Sequence, residues 1–276
     1  MKNLAGKTAV VTGAASGIGR ALAERFVAED MAVVLADVDR ERLDEAASEL
    51  RGRGGRIVSS VTDVSRAEEV KSLASLSVDT FGSVHVLCNN AGLATPPAPS
   101  WEKPLEDWEL VLGVNLWGVI HGVREFLPLL LDHGEEGHVV NTASAAGLIY
   151  APHGADYFVS KHGVVALSES LFLELQALES KIGVSVLCPG FVRTNILDAI
   201  DERFADRKIA PEMARASDQH RKLLADSMQP EEIAEQVVAA IRAERLYVLP
   251  HPEIDPYIES RARHIISREN PDLNAE

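Results

Sequence analysis

Short apolar, β-branched runs recur along the chain at 8–12, 32–36, 56–61, 84–88, 138–142, 184–188 and 246–249. Longer segments with apolar residues at helical spacing lie between them, at 18–29, 40–51, 67–81, 105–131, 156–178 and 230–242. Strand and helix in alternation predict a parallel sheet with helices on both faces. The strand runs are apolar at successive positions, as strands covered on both sides must be. Ser65-Arg66-Ala67-Glu68 reads as a capping box. Pro230 suits a first helical turn, with Glu231 and Glu232 at the positive end of the helix dipole. Pro96-Pro97-Ala98-Pro99 reads as an exposed loop. Two stretches escape the alternation. Residues 191–228 are charged and weakly periodic, and are expected to be a substrate lid, with a plain surface insertion equally compatible. Residues 250–276 form a polar C-terminal extension. Without repeats or low-complexity linkers, residues 1–276 are expected to form a single domain.

Composition narrows the class. Apolar residues make up 46% of the 276, enough for a large core. Acids outnumber bases 42 to 27, for a net charge of −15, which argues against nucleic acid or an anionic membrane as partner. No apolar stretch is expected to span a bilayer. The opening Met1-Lys2-Asn3-Leu4 leads straight into a strand pattern without a signal-peptide segment, so a cytoplasmic protein is expected. Cys88 and Cys188 end strand runs and are expected as buried thiols. Neither His-Glu-x-x-His nor Cys-x-x-Cys occurs, so no metal is expected.

Two patterns carry chemistry. Thr12-Gly13-Ala14-Ala15-Ser16-Gly17-Ile18-Gly19 joins the first strand to the first helix. Glycines there let backbone approach a pyrophosphate, and the helix N-terminus attracts the anion. Asp37 ends the second strand, about twenty residues on, where a carboxylate can accept from both ribose hydroxyls of NAD. It would repel the 2′-phosphate of NADP, and Ser16 rather than a base stands before Gly17, so NAD is favoured. Arg40 argues the other way. Asp39 is expected to cap the next helix. Tyr157 and Lys161 stand four apart. On a helix that spacing brings their Cβ atoms to about 5–6 Å. An ammonium there favours the phenolate, so the tyrosine could exchange a proton with an alcohol or carbonyl.

These features resemble the short-chain dehydrogenase/reductase (SDR) family over roughly residues 6–195. Thr12–Gly19 matches its TGxxxGxG loop, Asp63-Val64 its adenine-side pair and Asn89-Asn90-Ala91-Gly92 its NNAG motif. Asn115 and Ser144 fall at its active-site positions, Tyr157/Lys161 match YxxxK, and Pro189-Gly190 with Thr194 match its nicotinamide-side motif. The resemblance implies a doubly wound Rossmann fold, with a seven-stranded sheet in the order 3-2-1-4-5-6-7. It implies hydride transfer to or from NAD, with Tyr157 as general acid/base. Lys161 would lower the tyrosine pKa and hold the nicotinamide ribose, and Ser144 would bond the substrate oxygen. Asn115 would distort its helix and hold a water linking Lys161 to solvent. Gly13, Ser16, Gly17, Ile18, Gly19, Asp37, Asp63, Val64, Asn90, Ala91, Gly92, Pro189, Gly190, Val192 and Thr194, with Tyr157 and Lys161, would bind the cofactor.

The expected substrate is a small molecule, a hydrophobic secondary alcohol or its ketone. Leu148 and His153 are expected to touch it beside Ser144 and Tyr157, with Leu93, Ala94, Ala145, Tyr150, Phe191 and Ile196 as further walls. NADPH-dependent 3-oxoacyl-(acyl carrier protein) reduction is the alternative within the family, and a non-catalytic dinucleotide sensor the alternative outside catalysis. A homodimer or homotetramer is expected, with Trp117, Phe126, Phe172 and Leu175 able either to meet a second subunit or to pack in the core.

Overall fold

Val10 and Val11 are neighbours in β1 (Thr8–Thr12), and both are buried, yet they enter different hydrophobic cores. Successive strand side chains point to opposite faces, so a strand apolar at every position needs cover on both. The burial of β2 (Ala32–Asp37), β4 (Val86–Asn89), β5 (Gly137–Thr142) and β6 (Ile182–Leu187) has the same cause. The edges are β3 (Arg56–Val61) and β7 (Tyr247–Val248), both partly exposed. Every pairing is parallel and the order is β3-β2-β1-β4-β5-β6-β7, the topology expected from the resemblance. The structure, a computed structural model, describes residues 1–207 and 227–271. Residues 208–226 of the expected lid and 272–276 of the tail lie outside the described residues.

Among the described residues the helices are α1 (Gly17–Ala28), α2 (Arg40–Gly52), α3 (Ala67–Phe81), α4 (Leu105–Leu112), α5 (Gly118–Asp132), α6 (Ala155–Ala177), α7 (Ile196–Arg203), α8 (Pro230–Ala243) and α9 (Asp255–Ser267). On one face Phe26, Leu43, Leu50, Ile233 and Val237 meet Val11, Val33, Leu35 and Cys88. On the other, Leu73, Phe126, Leu130, Leu171 and Leu175 meet Val10, Val34, Leu87, Val139 and Val184. Each such side chain, fully buried, contributes about 1.5–3 kcal/mol.

Several sequence expectations are changed or resolved in the fold. The segment 105–131 is not one helix, because a π-helical turn, Gly113–Trp117, separates α4 from α5 and carries Asn115 at its centre. Such a turn inserts one residue and re-aims the side chains after it, so the distortion expected at Asn115 is present. The run Leu105–Asp132, at 28 residues, is long and apolar enough to cross a bilayer, contrary to expectation. Its Val119, Phe126 and Leu130 are instead buried within the fold. Phe126 and Leu175 are core residues and cannot meet a second subunit, whereas Trp117 and Leu173 are exposed. The capping box at Ser65 does not form: Arg66 precedes α3 without a side-chain cap, and Ser65 donates to Asp63 Oδ1 at 2.7 Å. Glu69, not Glu68, turns back, accepting from Asp63 N at 2.8 Å. Pro96 is buried with Thr95, so the proline loop is not a free surface loop. The polar tail contains α9, with proline in its first turn, where the missing N–H costs nothing.

Candidate active site

The loop after β1 needs its glycines. Gly13 and Gly17 have φ of +66° and +52°. A Cβ on Gly13 would stand 2.9 Å from Ala91 Cα, and one on Gly19 would stand 2.0 Å from Gly13 O. Ser16 precedes α1 in extended backbone without a side-chain cap bond, which leaves the helix N-terminus open towards the cleft. Ile18 packs against the core below. Thr194 crosses from beyond β6 to lie over Gly17, its Cγ2 3.0 Å from where a Cβ would be. Asp37 Oδ2 accepts from Ala15 N at 3.0 Å and Oδ1 from Asp39 N at 3.0 Å, which aims the carboxylate at the loop. Asp39 caps α2 through Arg42 N at 3.1 Å, as expected.

β1 lies beside β4, where the strand order reverses and a crevice opens. Thr12 Oγ1 spans it, accepting from Asn90 N at 2.9 Å and Ala91 N at 3.1 Å. Asn90 Nδ2 donates to Thr12 O at 3.0 Å, and Thr142 Oγ1 donates to Asn90 Oδ1 at 3.2 Å. Thr12 and Thr142 were not singled out as contacts in the sequence. Asp63 turns its carboxylate onto Ser65, and Val64 is buried against Gly118.

Asn115, Ser144, Tyr157 and Lys161 come together beside Gly92. Lys161 is buried, donates to Thr142 O at 3.0 Å and lies 5.6 Å from the Tyr157 ring centre. The Ser144 hydroxyl lies beside the Tyr157 phenol and donates to Pro189 O at 3.4 Å. Asn115 Oδ1 accepts from Leu93 N at 2.9 Å, while Nδ2 donates to Leu93 O at 2.9 Å and to Ser160 Oγ at 3.2 Å. A Cβ on Gly92 would be 3.4 Å from both Asn115 Oδ1 and Lys161 Nζ. Burial pushes the Lys161 ammonium down to about 8. Burial also pushes the Tyr157 phenol up from its usual value, with the Ser144 hydroxyl acting against it. This is a correction to the expected lowering by Lys161. Taking the phenolate out of water outweighs an ammonium that is itself destabilised by burial and turned onto the Thr142 carbonyl.

Around this centre lie the residues expected on the substrate side. Leu148 is half-buried against the small core of Val164 and Val165. His153 adopts φ +68°, and its buried Nδ1 has no hydrogen-bond partner among the described residues. Pro189 O accepts from Ala145 N at 2.8 Å. His251, which the sequence did not single out, holds the next turn: its Nδ1 accepts from Gly190 N at 3.0 Å and its Nε2 donates to Phe191 O at 2.9 Å. Val192 bridges Met228 across the ends of the lid segment. Arg207 pairs with buried Asp107 on α4. Tyr150 OH meets His264 Nδ1 of α9 at 2.9 Å, so the C-terminal extension reaches a residue expected to wall the substrate.

Residues 7–204 match the family described as short chain dehydrogenase. A CLA biosynthesis dehydrogenase/reductase of Lactiplantibacillus plantarum is 30% identical over 99% of this chain and 98% of its own. A 1-deoxy-11-beta-hydroxypentalenate dehydrogenase of Streptomyces exfoliatus is 40% identical over 70% of each chain. The crystal structure of a short chain dehydrogenase/reductase from Burkholderia phymatum in complex with NAD superposes with a TM-score of 0.94, at 39% identity over 100% of both chains.

Proposed function

The chain belongs to the short-chain dehydrogenase family and is an oxidoreductase acting on CH–OH donors, and on that premise we propose that it interconverts a hydrophobic secondary alcohol and its ketone with NAD. The observation that carries this reading is the convergence of Tyr157, Lys161, Ser144 and Asn115 beside Gly92, across the crevice from the glycine loop.

The residues present fit a dinucleotide. Backbone without side chains at Gly13, Gly17 and Gly19, with the α1 N-terminus behind Ser16, forms a cradle for a pyrophosphate. Asp37, already oriented by two backbone amides, keeps lone pairs for ribose hydroxyls and opposes a 2′-phosphate. Asp63 and Val64 line the adenine side. Asn90, Ala91 and Gly92 with Pro189, Gly190, Val192 and Thr194 flank the nicotinamide side. The NAD complex of the Burkholderia phymatum relative supports this choice of cofactor. When bound, the nicotinamide supplies the hydride chemistry.

The chain's own work is to move a proton and stabilise an oxygen. Tyr157 exchanges the proton with the substrate oxygen. Ser144 donates to that oxygen where charge develops. Lys161 holds its ammonium on the Thr142 carbonyl beside the Tyr157 ring, and that charge is lost as pH rises through about 8. Asn115 holds Leu93, and hence the strip Gly92–Leu93, in place. Leu148 and His153 bound the substrate, and the unpartnered His153 Nδ1 supplies a polar contact at an otherwise apolar wall. The exposed Leu105, Trp117 and Leu173 support assembly with a second copy of the chain.

The test is a screen of the purified protein against secondary alcohols and ketones of graded size, with NAD and NADP in parallel. Turnover of the larger apolar substrates with NAD is expected. A higher kcat/KM with NADP would refute the role given to Asp37. Binding of NADH without turnover of any substrate would favour a dinucleotide sensor.

A further inference from the structure

Directly before Tyr157 stands Asp156, whose side chain is 1% exposed and pairs with Lys103, 2% exposed. No other ion pair among the described residues buries both partners so completely. The Lys103 ammonium lies 3.1 Å from Asp156 Oδ1, but its aligned hydrogen bond goes to Pro96 O at 2.8 Å. Among the described residues Oδ1 is therefore left with an ionic contact and no aligned donor. Thr95 Oγ1 donates to Oδ2 at 2.5 Å. One turn earlier, Ala98 N donates to His153 O at 3.0 Å.

Apart from the Lys103–Pro96 bond, which lies within the loop, these contacts join one loop to one turn. The loop, 93–104, leaves Gly92 and begins at Leu93, which Asn115 grips by both backbone groups. The turn, 153–156, opens α6 and hands over to Tyr157. A non-glycine residue stays at φ +68° only where its surroundings over-determine it, and for His153 the loop provides that constraint. An apolar pair would fill the same space without desolvating two charges, so hydrophobic closure does not account for the choice. A charge pair with a hydroxyl and a carbonyl attached accepts only one relative placement of loop and helix.

We propose that Thr95, Lys103 and Asp156 form a clasp that sets Tyr157 against the loop roofing the substrate side, and that they are positioning residues for the alcohol–ketone reaction. The inference rests on the reading of Tyr157 as the proton-transfer group. The clasp explains why a buried cation sits in a proline-rich loop. It also assigns a role to the acid before Tyr157, which the cofactor contacts do not use.

The test compares Thr95→Val, which removes the hydroxyl, with Thr95→Ser, which keeps it, alongside Lys103→Met and Asp156→Asn. Each kcat is normalised to the number of NADH-binding sites, so that loss of folded protein does not count. A displaced catalytic group costs rate steeply, so Thr95→Val is expected to lower kcat about fivefold or more, and the two charge variants about tenfold or more. Thr95→Ser should stay within about twofold of the wild type, and NADH affinity should be unchanged throughout. Amide exchange in the ligand-free protein reads the clasp without turnover: residues 93–104 and the first turn of α6 should exchange faster together in Thr95→Val than in Thr95→Ser. Equal kcat for the two Thr95 variants, or exchange unchanged in both segments, overturns the clasp. A wild-type protein that binds NADH but turns over nothing, with exchange still coupled, overturns the reading of Tyr157 and leaves the clasp standing as a structural lock.

Discussion

Around β1 the cleft is shaped by backbone: glycines in left-handed conformation, amides at a helix start, and a carboxylate aimed by two N–H groups. Around β5 and β6 it is shaped by side chains meeting from distant parts of the chain. Asn115 bonds Leu93, Thr95 bonds Asp156, Arg207 bonds Asp107 and His251 bonds Gly190. The difference suits the ligands. The pyrophosphate end is common to all dinucleotides, and backbone recognises it without regard to sequence beyond glycine. The substrate end must be particular, and particularity comes from side chains held by long-range contacts.

Single substitutions can break the two halves separately. Tyr157→Phe should strike the substrate half hardest, lowering kcat by about 10²–10⁴-fold, the usual contribution of a general acid/base. NADH binding, followed by fluorescence titration, should be unchanged. Gly19→Ala should do the reverse. A Cβ 2.0 Å from the Gly13 carbonyl forces α1 away from the loop. About 1–3 kcal/mol of stability should be lost in urea titration, with NADH affinity lost alongside. Asp37→Ala sharpens the comparison within the backbone half. It removes a charged acceptor worth about 1.5–3 kcal/mol, so KM for NAD should rise about tenfold or more while discrimination against NADP falls. kcat at saturating NAD should hold, since nothing at Tyr157 changes.

The smallest effect belongs to His138, near the start of β5, which serves as a control. It is fully buried beside Ser185, and burial pushes its pKa down to about 3. The unfolded chain takes up the proton from about pH 6.5 and the native protein only near 3. Its contribution to stability is therefore complete above about 6.5 and is lost progressively as pH falls towards 3, at about 1.4 kcal/mol per pH unit. His138→Asn should flatten that slope in urea titrations at pH 7 and pH 5, without altering kcat relative to KM at pH 7.

How much was legible follows the same division. The glycine loop, Asp37, Asn90-Ala91-Gly92 and the Tyr157/Lys161 pair are spelled within a few residues each, so spacing sufficed to nominate them. Asp39 capped α2 for the same reason. The Ser65 capping box did not form because Asp63 Oδ1 accepts from both the Ser65 amide and its hydroxyl. Phe126 and Leu175 were ambiguous because a helix buried on the sheet and one facing a partner show the same apolar stripe.

Alternation of apolar runs and helical segments determined by itself the α/β class, and with the ordered motifs it pointed to the sheet order, because strand periodicity and glycine geometry are local properties. Only the tertiary structure decided that Pro96 and Lys103 are buried, that His251 holds the Gly190 turn, that α9 reaches Tyr150, and that Tyr157 sits where burial raises its pKa. The physical reason is desolvation. A charge or a phenol has its ordinary properties until distant segments close over it, and no stretch of the chain taken alone records which segments those are.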